Sequence, residues 1–270
     1  MALFKRRAKA PPEPQNTGGV LSYQLANQQH IGTRERQEDS FGLVNPFDVT
    51  AIRRDGLLAV VADGMGGMED GAAVSEAAVE MCREAFAELD RGGDIPAQLR
   101  SAVREIDRRL YARFAGRGGT TLVLVLIYEE RLYWLSVGDS GLYLRRGDGL
   151  FRLNREQNTR TRLYLRELFE EEKTDRERAD SDPDGARLTE FLASGELGEI
   201  DGNLLPLALR DGDVILMCSD GVSGAVDEER LCELLREAPP EACRLIEKEI
   251  LLQNNPSRDN FTSVIIKCGF

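Results

Sequence analysis

The chain reads as an α+β fold of mostly antiparallel sheets with helices packed outside them. Three observations predict this. The apolar runs 56–62 and 214–219 are too short for helices, and each leads into an Asp-Gly turn. Stretches 74–89 and 99–114 repeat apolar residues at helical spacing. Strands do not alternate singly with helices, which excludes a doubly wound parallel sheet.

In chain order, residues 21–30 and 40–46 are expected as strands flanking a polar loop. Residues 56–62 (GLLAVVA) form a strand buried on both faces. Val74, Ala78, Met81, Ala85 and Leu89 mark one amphipathic helix; Leu99, Val103, Ile106, Leu110 and Phe114 mark a second. Asp94 is the expected N-cap of the second, with Pro96 in its first turn. Strands follow at 120–128, 131–137 and 141–146. Residues 154–190 are highly charged and poor in apolar side chains, and read as a helical, partly mobile insert. A buried strand at 214–219, helices at 228–237 and 240–253, and a closing strand at 261–267 complete the order.

With 270 residues, 41% hydrophobic and 30% charged, the chain can bury a substantial core and remain soluble. A net charge of −12 argues against a nucleic-acid partner, which requires a basic face. The cysteines are 82, 218, 232, 243 and 268, an odd number with no CxxC pair. That pattern gives neither a zinc site nor a disulfide framework and points to a reducing, cytoplasmic compartment. No apolar run has membrane-spanning length, and no secretory segment is evident. Residues 1–19, with Lys5, Arg6, Arg7, Lys9, Pro11, Pro12 and Pro14, read as a flexible basic, proline-rich tail ahead of one domain at 20–270.

Asp-Gly is an ordinary turn dipeptide and occurs here at Asp55, Asp63, Asp70, Asp148, Asp184, Asp201, Asp211 and Asp220. Asp63 and Asp220 differ from the rest because each follows a wholly apolar strand. A carboxylate at the mouth of a buried strand is partly desolvated, which is costly unless it meets a cation. No lysine or arginine adjoins either one in sequence, which favours a metal partner. A following glycine lets the backbone carbonyl approach that metal closely.

Six motifs occur in order: Arg34-Glu35-Arg36-Gln37-Glu38-Asp39, Ala62-Asp63-Gly64-Met65-Gly66-Gly67, Gly118-Gly119-Thr120-Thr121, Gly138-Asp139-Ser140, Ser219-Asp220-Gly221 and Arg258-Asp259-Asn260. Together they resemble the metal-dependent protein phosphatases, the type 2C serine/threonine family in its bacterial form, from about residue 21 onward. The resemblance implies a sandwich of two antiparallel sheets flanked by helices (α-β-β-α). It also implies hydrolysis of phosphoserine and phosphothreonine in proteins, opposing a bacterial serine/threonine kinase. Carried over by motif, Asp63 bridges two metals, Glu38 and the Gly64 carbonyl serve one, and Asp220 and Asp259 serve the other. Arg34 binds phosphate, Asp39 and Asn260 stand behind the ligands, and Asp139 belongs to a third, weaker metal. Oxygen-only ligands imply Mn²⁺ or Mg²⁺. Two such ions, ~3.5–4 Å apart, would activate a water for in-line attack.

The chain departs from the family at four places. Gln37 replaces asparagine, Gly141 replaces arginine, and Met65 stands where some relatives have histidine. Gly224 occupies the place of an aspartate, so a third metal would lose a ligand. His30, the only histidine, lies outside the motifs and is not expected to be catalytic. The 66–67 glycines lack the Gly-Lys-Ser/Thr ending of a nucleotide P-loop. Two other functions are compatible with the sequence: a non-catalytic scaffold or sensor with the phosphatase fold, and a narrow regulatory phosphatase acting on an anti-sigma-type partner.

Overall fold

The computed structural model describes residues 21–65, 70–169 and 176–269. The predicted tail at 1–19 and part of the insert lie outside them. One sheet has the order β1 (Ser22–His30), β11 (Phe261–Gly269), β10 (Val214–Cys218), β6 (Gly141–Arg146) and β7 (Gly149–Arg152). The other has the order β2 (Asp39–Val44), β3 (Leu57–Asp63), β4 (Leu122–Tyr128) and β5 (Arg131–Val137). The short strands β8 (Asp201–Gly202) and β9 (Leu207–Ala208) both pair with β5. Every pairing is antiparallel.

Strand periodicity explains why the central runs are wholly apolar. In β3, Leu57, Ala59 and Val61 face the opposite sheet. Leu58, Val60 and Ala62 face α2 (Gly71–Glu88) and α3 (Ile95–Phe114). Likewise Ile215 and Met217 of β10 face the other sheet. Val214, Leu216 and Cys218 pack with Leu231, Leu234 and Ile246 of α7 (Glu228–Leu234) and α8 (Pro239–Leu252). Two sheets, each covered by helices on its outer face, make the four layers α-β-β-α. Neither face meets water, so no polar alternation is needed.

Asp94 caps α3 as expected: its side chain accepts from the Ala97 N–H at 3.0 Å, with Pro96 in the first turn. Elements absent from the sequence reading are short ones. The helix α1 (Val49–Asp55) starts at the Asp48 cap, stops at Gly56 with φ +90°, and buries only Ala51. Strand β7 returns from β6 through Gly147 and Asp148. The charged insert contains α4 (Thr159–Phe169) and α5 (Arg176–Ser181). A short α6 (Asp220–Ser223) follows β10 directly.

Leu126→Ala, which truncates a fully buried side chain of β4, is expected to cost about 2–5 kcal/mol. Loss of the exposed cap in Asp94→Ala should cost about 1 kcal/mol. Urea unfolding should rank the two in that order.

Candidate metal and phosphate site

Antiparallel register gathers the motifs at one end of the sandwich. Asp39 begins β2 and pairs across the ladder with Asp63, which ends β3. Asp220 lies just past β10, and Asp259 lies just ahead of β11, its antiparallel neighbour. Asp139 sits in the turn between β5 and β6. The two sheets are tied together here: the Ser219 hydroxyl donates to Asp39 Oδ2 at 2.7 Å and accepts from the Thr262 N–H at 3.0 Å.

Backbone at Asp63 is held on both sides. Its N–H donates to Thr121 Oγ1 at 3.0 Å, and its carbonyl accepts from Thr120 Oγ1 and the Thr121 N–H, both at 2.9 Å. The adjacent Gly64 N–H donates to the Glu38 carbonyl at 3.1 Å. That carbonyl also accepts from the buried Ser75 hydroxyl at 2.6 Å. A Cβ on Gly64 would stand 2.6 Å from both the Glu38 and Gly71 carbonyl oxygens, so only glycine fits. Gly221 is equally constrained, since a Cβ there would meet the Asn260 carbonyl oxygen at 2.0 Å.

Asn260 organises the loop that carries Arg34 and Glu38. Its side-chain oxygen accepts from the Glu38 N–H at 2.7 Å. Its amide donates to the carbonyls of Ile31 at 2.7 Å and Arg36 at 3.1 Å. Arg34 reaches back to Asp259 Oδ2 at 2.7 Å, both side chains being partly exposed. This pair spans 225 residues of sequence, and Arg34 also lowers the cost of charge on Asp220. A cation therefore does stand near Asp220, although none adjoins it in sequence.

The carboxyls crowd one another. Burial, followed by the charges of Asp39, Asp220, Asp139 and Asp259, raises the Asp63 pKa well above its ordinary value. Burial raises Asp39 to about 6, partly countered by Ser219. It raises Asp139 to about 7, with the charge of Asp220 adding to the effect. Asp220 is exposed at the lip of the cleft, yet the protein around its carboxyl still makes desolvation the leading cause of its upward shift. Such a group is stable as carboxylates only with positive charge close by.

The donor set fits divalent cations that prefer oxygen. Asp39 Oδ1 is buried without a hydrogen-bond partner, and Glu38 Oε1 lies beside Gly71. Among the described residues no three His, Cys, Asp or Glu side chains converge as a finished metal-binding group. Mg²⁺-like sites need no such group, because each ion keeps several waters and takes one or two carboxylates. A pocket of about 180 Å³, lined by Asp220, Gly221, Gly224, Arg258 and Asp259 among others, adjoins this cluster. At Gly224 a Cβ would stand 2.9 Å from the Asp220 carbonyl oxygen, so a side chain there requires the backbone to shift.

Sequence reasoning did not identify Arg152. Its guanidinium donates to the Asp139 carbonyl at 3.0 Å, pairs with Glu156 and lies over the Tyr143 ring, bracing the turn where the expected arginine is Gly141. Gly118 and Gly119 serve packing: a Cβ on them would meet Val74 at 2.7 Å and Met65 Sδ at 2.5 Å. The insert joins the site through the Gln157 N–H, which donates to the Gly138 carbonyl at 2.9 Å.

The sequence profile of the family described as protein phosphatase 2C matches residues 27–250. The serine/threonine protein phosphatase PstP of Mycobacterium tuberculosis is 31% identical over 234 residues, covering 83% of this chain and 43% of PstP. The chain thus spans less than half the length of that relative. The serine/threonine phosphatase stp of Listeria innocua is 28% identical over 211 residues, covering 75% of this chain and 79% of stp. The solved catalytic domain of PstP in complex with two manganese ions superposes with a TM-score of 0.71 at 26% identity, covering 93% of this chain and all of that one. With a matching profile across most of its length and the same fold, the chain belongs to the protein phosphatase 2C family.

Proposed function

We propose that this protein hydrolyses phosphoserine and phosphothreonine in other proteins, using Mn²⁺ or Mg²⁺. The observation that carries this reading is the cluster of mutually repelling carboxylates with an arginine at its rim. Asp63 would bridge two ions. Glu38 and the Gly64 carbonyl would serve one, and Asp220 and Asp259 the other. Asp139 would contribute to a third, weaker site that lacks a side chain at Gly224. When bound, the ions supply Lewis acidity and an activated water.

The protein's own groups do the positioning. Arg34 offers a planar fork suited to two phosphate oxygens. Its present partner is Asp259, one of the residues that would hold a metal, and Arg34 would turn from that carboxylate to phosphate. Asp39 and Asn260 hold the ligand-bearing backbone. In the reaction a water oxygen forms the new P–O bond. The bond from phosphorus to the side-chain oxygen breaks, and that oxygen takes a proton.

Phosphoproteins are the proposed substrates, and a serine/threonine kinase would be the class of enzyme that supplies them. Among the described residues no helix is long and apolar enough to cross a membrane. The five unpaired cysteines are consistent with a cytoplasmic setting.

Three outcomes test this. Hydrolysis of an aryl phosphate and a phosphothreonine peptide should require Mn²⁺ or Mg²⁺ and stop with chelator. Asp63→Asn should lose roughly 10²–10³-fold or more of turnover, the scale of several kcal/mol of charge stabilisation; a folded wild-type chain inactive at millimolar metal would sink the reading.

Metal and pH should also act on stability. Asp39 and Asp139 bind protons more tightly folded than unfolded, their pKa values rising from 3.8 to about 6 and about 7. Their contribution is therefore fully present below pH 3.8 and is lost as pH rises through about 6 to 7. Without metal, calorimetry should show this part of the stability falling between about pH 4 and 7. At neutral pH, Mn²⁺ at about 100 times its Kd should raise Tm by roughly 5–10 °C.

A further inference from the structure

We infer that His30, although it is not a catalytic residue, is a positioning residue for Arg34, acting as a hydrogen-bond acceptor that shapes the turn delivering the guanidinium. The inference rests on the proposed role of Arg34 in phosphate binding.

His30 is the last residue of β1 and is the cross-strand partner of Phe261. Its ring stacks on the Phe261 ring, with centroids 4.9 Å apart and planes 15° from parallel. Phe261 is fully buried, so the plane of the imidazole is held against it. In that orientation Nδ1 accepts from the Gly32 N–H at 2.9 Å.

Gly32 is where the chain leaves the sheet. It has φ +64°, a conformation natural to glycine, and a Cβ there would stand 2.0 Å from the Asp259 carbonyl oxygen. The turn is thus pressed against the backbone of Asp259, the residue that Arg34 pairs with. Beyond it, the Thr33 N–H donates to the Arg258 carbonyl at 3.0 Å, and the Arg34 N–H donates to the Ile31 carbonyl at 3.3 Å. Only Ile31 separates His30 from Gly32 and only Thr33 separates Gly32 from Arg34, so an error at Gly32 is passed directly to the guanidinium. Asn260 clamps the same loop at Ile31, Arg36 and Glu38. His30 holds the Gly32 N–H, which Asn260 does not reach.

An acceptor at Nδ1 requires the ring proton on Nε2. Since His30 is the only histidine in the sequence, its ring nitrogens can be observed in the wild-type protein without assignment variants. Nitrogen-15 spectra at pH 8 should show the Nε2–H tautomer, with slow exchange of the Gly32 amide. The Nδ1–H tautomer, or a freely exchanging Gly32 amide, would overturn the inference whether or not the protein turns over.

Two variants separate the acceptor from the stack. His30→Phe keeps an aromatic ring on Phe261 and removes the acceptor. His30→Asn removes the ring and keeps a side-chain acceptor. With metal saturating, His30→Phe should raise KM for a phosphothreonine peptide about fivefold, the worth of one neutral hydrogen bond, with kcat within about twofold of wild type. His30→Asn should restore KM toward wild type even where its Tm is lower. Equal KM in both variants, or losses that follow Tm alone, would reduce His30 to a packing residue. If the wild-type protein shows no metal-dependent turnover, the proposed function fails, while the tautomer and exchange measurements still decide the hydrogen bond.

Discussion

The carboxylates at one end of the sandwich repel one another, and protein around them removes the water that would otherwise screen the repulsion. Much of the local architecture answers this constraint. Hydroxyls of Ser219, Thr120 and Thr121 take up hydrogen bonds along the strands that carry Asp39 and Asp63. Arg34 reaches across the cleft to Asp259. In the proposed function, a divalent ion bound among these carboxylates would relieve their repulsion.

The four-layer arrangement makes such a site affordable. The central strands β3, β4 and β10 are apolar on both faces, and the three core clusters pack along them. The clustered carboxylates Asp39, Asp63, Asp139, Asp220 and Asp259 lie at the strand ends, where loops from both sheets meet. The glycines at 64 and 221 belong to the same economy of space, because close backbone packing at those positions leaves no room for a Cβ. Gly224 is held less tightly, its missing Cβ facing the Asp220 carbonyl oxygen at 2.9 Å.

Much of this was legible in the residues. The both-faces-buried strands announced themselves as unbroken apolar runs, and the α2 and α3 helices by their periodicity, down to the Asp94 cap. The α1 helix and β7 strand were not legible, because seven and four residues are too few for a period to emerge. Their boundaries are set by Asp48, Gly56 and Gly147, ordinary turn residues whose role shows only in context. The motif marks Asn260 as a supporting residue, but its hydrogen bonds to three residues of one loop depend on the pairing of β1 with β11.

The sequence by itself determined the two kinds of sheet strand, the helix pair and the identity of the acidic residues, because apolar period and the glycine after each aspartate are local properties. Tertiary structure alone decided which charges share a space. Arg34 and Asp259 are 225 residues apart and pair at 2.7 Å, and Arg152 reaches the Asp139 turn from the next hairpin. Those contacts arise from strand register and sheet packing, which bring distant chain segments together through hydrogen bonds and buried area that no short window of sequence contains.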